Sequence, residues 1–120
     1  MDNRAETVST ILEEWESVKI RLDQLFRERD QKKAKEWMEK GIVLFIQFLY
    51  YTNEKASTPY DSIPFHQFYF KPVNIEERLG FIMARPGLYH SYRQLSELMV
   101  EQEKLYAKRN IVKKTSRPNA

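Results

Sequence analysis

Eleven consecutive residues, Gly41–Tyr51 (GIVLFIQFLYY), carry one strongly polar side chain, Gln47. A helix that is hydrophobic all round has to be buried on every side, in a protein core or in lipid. Lipid is the weaker option, because crossing a bilayer takes roughly 20 apolar residues. Lys40 and Asn53–Glu54–Lys55 bracket the run well before that. A strand over Ile42–Tyr51 is the alternative, since β-branched and aromatic residues abound there. The helical spacing that leads into the run, and its length, favour helix. The stretch therefore predicts the central helix of an all-α domain, a compact bundle of four main helices.

The first helix is expected from about Ala5 to Arg29. Val8, Ile11, Trp15, Val18, Leu22 and Leu25 recur at alternating steps of three and four, the signature of one buried helical face. Asn3-x-x-Glu6 is its expected capping box. After the charged break Arg27–Lys33, Asp30 is the expected N-cap of a second helix reaching about Thr52. So short a connection makes the two helices antiparallel neighbours. Gly41, mid-helix, costs about 1 kcal/mol relative to alanine, and close approach of a neighbouring backbone is the expected reason for it. From Asn53 to Val73 the pattern dissolves into a long connection. Phe65, Phe68, Tyr69 and Phe70 make it aromatic, so it is expected to lie across the bundle as a lid, with a short helical turn near Ile63–Phe68. Asn74 and Glu77 have capping-box spacing for a third helix, which Pro86 ends at Arg85. A fourth helix follows from about Leu88 to Arg109. Residues 1–109 thus read as one helical domain and 110–120 as a flexible basic tail.

Composition narrows the function classes. At 42% hydrophobic and 31% charged residues, the 120-residue chain can bury a core of its own. No cysteine is present, which removes disulfides, thiolate metal sites and cysteine nucleophiles. The polar N-terminus lacks the apolar segment of a secretory signal, so a cytoplasmic location is expected. The net charge of +3 is compatible with a nucleic-acid or acidic partner without requiring one.

Two blocks carry a family resemblance. One is Leu44-Phe45-x-Gln47-Phe48-Leu49-Tyr50-x-Thr52-Asn53. The other is Lys71-Pro72-Val73-Asn74-x-x-Glu77-Arg78-Leu79, continuing through Arg85-Pro86-x-Leu88-Tyr89-His90-x-Tyr92-Arg93-Gln94-Leu95. Together they resemble the YpoC-like family of small Bacillus-type proteins. The resemblance implies a cytoplasmic bacterial protein and transfers no catalytic residue or cofactor.

Chemistry is sparse in the text. His66 and His90, the two histidines, stand in neither Glu-x-x-His nor His-x-x-x-His spacing, so no metal is expected. No phosphate-cradling glycine loop occurs, and no cofactor is expected. Arg85-x4-His90 resembles the Arg-x4–6-His motif of HEPN-fold ribonucleases, with His90 as general acid/base and Arg85 stabilising a phosphorane. Pro86 departs from that pattern at a position usually polar. The plainer reading places Arg85 at a helix C-terminus, where a cation meets the dipole favourably, and has His90 pack near the turn. A second signal is geometric. In an up-down-up-down bundle the turns around Arg27–Lys35 and Arg85–Arg93 share one end. That end would gather Arg27, Arg29, Lys32, Lys33, Lys35, Arg85 and Arg93, with His90 among them, as a partner-binding surface. The leading expectation is a non-enzymatic cytoplasmic interaction module, with a protein partner preferred to nucleic acid and no membrane engaged. Self-association is compatible with the sequence as well. A metal-independent nuclease using Arg85 and His90 is the alternative.

Overall fold

The computed structural model describes residues 4–55 and 62–116. Four helices, α1 (Arg4–Arg27), α2 (Gln31–Asn53), α3 (Ile75–Ala84) and α4 (Tyr89–Ser116), are joined by short turns and one longer connection. No strand occurs among the described residues. The apolar run is helical. Packing of α1 and α4 against α2, and of α3 against α4, makes α2 the central rod. Asn3, with its expected cap, lies outside the described residues, as do Pro59 and residues 117–120.

The buried face of α1 is the expected one: Val8, Ile11, Trp15, Val18, Leu22 and Leu25 are all at or below 5% exposure. α2 departs from its expected all-round burial. Phe45, Phe48 and Leu49 are fully enclosed, yet Val43, Gln47 and Tyr51 are exposed. Spaced by four, these three form one narrow stripe, which bears the only strongly polar residue of the run. Enclosing a phenylalanine such as Phe45 stabilises the fold by about 1.5–3 kcal/mol.

The ends of α2 are set by backbone geometry. Asp30 caps its start, its carboxylate accepting from the Lys33 N–H at 3.1 Å. Before it, Arg29 takes the left-handed conformation (φ 58°). The Asp30 N–H then reaches the Leu25 carbonyl at 2.9 Å and the Arg29 N–H reaches Phe26 at 3.2 Å, a Schellman closure. Glu54 (φ 56°) closes α2 in the same way, with Lys55 N–H on Tyr50 O and Glu54 N–H on Tyr51 O. Gly41 sits where a Cβ would come within 2.8 Å of the Trp15 ring and 3.0 Å of a Leu95 methyl. The close neighbours are therefore side chains of α1 and α4, not the backbone expected.

In the connection after α2, a 3-10 turn covers Phe65–Gln67. Phe68 enters the core edge-on to Tyr50 (5.2 Å), and Phe65 packs against the core. Tyr69, at 83% exposure, does not join the lid. Asn53 ties the connection down: its carboxamide accepts from the Phe70 N–H (2.8 Å) and donates to the Phe70 carbonyl (2.9 Å). Gln102 of α4 donates to that same carbonyl at 3.1 Å.

Two expectations for the second half change. Asn74 precedes α3, but with left-handed backbone (φ 56°) and no side-chain cap bond, so the capping box does not form. α4 runs to Ser116 rather than Arg109, which makes residues 110–116 helical where a flexible tail was expected. Arg109 is the reason: it is 6% exposed and pairs with Glu54 at the end of α2. Lys113, one turn on, binds the same carboxylate.

Candidate functional site: a basic cavity at one end of the bundle

The α1–α2 and α3–α4 turns lie at the same end of the molecule, and a cavity of about 620 Å³ opens between them. Its lining is Gln31, Lys32 and Lys35 from the start of α2, with Arg85, Pro86, Gly87 and Leu88 from the opposite turn. Each wall has a local cause. Lys32 and Lys35, three apart, share a helix face because Asp30 starts α2 immediately before them. Arg85 is the C-cap of α3, its N–H on the Phe81 and Ile82 carbonyls. Its own carbonyl accepts from the buried Ser91 hydroxyl at 2.6 Å, which locks the turn into α4. Gly87 allows the two turns to meet: a Cβ there would come within 3.2 Å of the Gln31 side chain and 3.5 Å of its carbonyl.

The cavity is cationic. Three of its lining residues carry positive charge and none is acidic. The Arg85 guanidinium is oriented by the Phe81 ring, 5.5 Å below it, a cation–π contact of modest strength at an exposed site. The start of α2 adds the positive end of its helix dipole, although Asp30 partly offsets it.

The expected surface is only partly assembled around this cavity. Lys32 and Arg85 line it, joined by Lys35. Arg27, Arg29 and Lys33 are exposed at the same end without lining it. His90 and Arg93 belong to a neighbouring concavity with Arg78, Tyr89, Gln94 and Glu97, where Glu97 dilutes the field. Arg85 and His90 both meet the Phe81 ring, His90 edge-on at 5.6 Å. They open onto different cavities, and the His90 Nε2 sits 3.0 Å from the Gln94 side-chain nitrogen. This arrangement lends the nuclease alternative no support. No group of three or more metal-ligating side chains occurs among the described residues. No helix among them is long and apolar enough to cross a membrane.

Sequence reasoning missed Ser91 and several polar groups that tie the helices together. Arg78 of α3 forms a two-point pair with Glu101 of α4 and also donates to the Val73 carbonyl at 3.0 Å. At the far end of α2, Glu54 receives Lys113 and Arg109. The Lys113 hydrogen bond is the largest effect on its carboxyl and, with Arg109, holds it below the ordinary 4.5 against burial, which ranks second and raises it. Tyr92 donates to Asp23 at 2.7 Å, and burial, then that hydrogen bond, raises its phenol well above the usual value. Such partners are distant in sequence and leave no spacing to detect.

Comparison with known proteins places the chain. The profile of YpoC-like proteins matches residues 5–114. The chain belongs to the YpoC-like family. It is similar to the Bacillus subtilis (strain 168) protein described as uncharacterized protein YpoC, 32% identical over 106 residues. That match covers 84% of this chain and 63% of the relative, so the chain spans less than two thirds of the relative's length. No solved structure matches. The YpoC-like family brings no reaction with it, and residue roles rest on the geometry above.

Proposed function

We propose that the chain is a non-enzymatic helical interaction module of the cytoplasm, which binds a protein partner through the basic end of its bundle. The observation that carries this reading is the convergence of Lys32, Lys35 and Arg85 on one cavity with no acidic residue in its lining. Like charges gathered on one cavity raise the local potential and steer an oppositely charged partner. Exposed Arg27, Arg29 and Lys33 extend that field around the rim.

The test is affinity capture from a native cytoplasmic extract with the full chain and charge-reversed variants. The double variant K35E/R85E should lose a partner that the wild type retains. R29E and R93E, off the cavity, should weaken capture less. Capture that is indifferent to K35E/R85E refutes the reading.

A further inference from the structure

We infer that the cavity between the two turns receives a short acidic segment of the partner protein, one of whose aliphatic side chains lies against Pro86 and Leu88. This rests on the interaction-module reading and narrows it to a chemistry. Size is the first argument. A volume of about 620 Å³ falls within the usual range of ligand clefts, enough for a few residues of extended chain.

Charge is the second. Lys32 and Lys35 stand on one wall and Arg85 on the other, so carboxylates entering between them meet cations from both sides. Arg85 presents a planar fork that matches a carboxylate at two points, and Phe81 already orients it. Wall chemistry is the third. Pro86 and Leu88 give the cavity an apolar surface beside the cations, and Leu88 is 37% exposed. A segment alternating acidic and aliphatic residues satisfies both features at once.

A nucleic acid fits less well. No aromatic residue lines the cavity, so it offers no platform for stacking a base.

Fluorescence anisotropy tests the inference with three labelled probes: a short peptide alternating glutamate and leucine, its glutamine counterpart, and a single-stranded RNA of equal formal charge. Binding of the glutamate peptide is expected, weakening as salt rises. The glutamine peptide, and the K35E/R85E variant against the glutamate peptide, should each bind at least about tenfold more weakly. Backbone amide signals of Lys32, Lys35, Gly87 and Leu88 should shift on titration. Retention of thermal stability by K35E/R85E excludes unfolding as the cause. Peptide binding that survives the double variant, or RNA that binds more tightly than the peptide at equal salt, overturns the inference. Silence from all probes, with partner capture still dependent on Lys35 and Arg85, overturns the acidic-segment chemistry alone. Silence together with capture indifferent to both residues overturns the module reading as well.

Discussion

Two mid-helix glycines form a matched pair in which one substitution should stabilise and the other should not. Alanine in place of glycine inside a helix gains about 1 kcal/mol from backbone propensity. Gly80 of α3 is exposed, and a Cβ there meets no heavy atom within 4 Å, so Gly80→Ala should realise that gain nearly in full. At Gly41 the added carbon would lie 2.8 Å from Trp15 Cζ3 and 3.0 Å from Leu95 Cδ2. Trp15 is 2% exposed and Leu95 fully enclosed, so neither has room to turn away. Overpacking a filled core costs typically about 1–3 kcal/mol. Gly41→Ala should therefore be neutral to about 2 kcal/mol destabilising. The propensity gain cancels when the two variants are compared, so their difference, about 1–3 kcal/mol, isolates the steric cost. Thermal unfolding followed by circular dichroism should separate the midpoints by several degrees. If Gly41→Ala raises the midpoint as much as Gly80→Ala does, α2 is not held against Trp15 and Leu95 as described.

Three further outcomes are expected. Arg29→Gly should stabilise by about 0.5–1 kcal/mol in urea denaturation, because the left-handed position after α1 costs glycine no steric strain. Asn53→Ala leaves the Phe70 N–H without its acceptor and should cost about 1–3 kcal/mol, with faster hydrogen exchange at the Phe70 amide. Glu54→Gln leaves the Arg109 charge nearly buried and poorly paired and should cost about 1–2 kcal/mol near neutral pH. The lowered carboxyl of Glu54 fixes the sign of the pH dependence. Its contribution is complete above the ordinary value of 4.5 and fades as pH falls through the lower folded value. Wild type and Glu54→Gln should thus converge in acid, as differential scanning calorimetry across that range would record.

The fold was legible wherever a periodic apolar face is its own signal, as for the α1 stripe from Val8 to Leu25 and the spacing of Tyr92, Leu95 and Met99 on α4. Asp30 was legible as a cap because its side chain acts within its own turn. Helix ends set by backbone conformation were less so, since Arg29 and Glu54 take left-handed angles that glycine usually signals. Asn74 has the right spacing but the wrong backbone angle, and a cap needs both. The extension of α4 to Ser116 depends on Glu54, far away in the chain, reaching Arg109 and Lys113. Of the candidate site, the convergence of Lys32 with Arg85 followed from helix order alone. The separation of His90 and Arg93 from them did not, because it depends on how α4 is rotated beside Phe81.

The bond between Asn53 and Phe70 has a consequence for how this architecture can vary. A carboxamide that answers a peptide group donor for acceptor does the work of a strand pair with a single residue. It fastens the chain just before α3 directly to the last turn of α2, whatever path is taken in between. The alignment of the α1–α2 hairpin with the α3–α4 hairpin is then fixed at that knot. Natural relatives should tolerate insertions between Lys55 and Ser62 while keeping a side-chain amide at position 53, and the gap between the two turns at the opposite end should keep its shape.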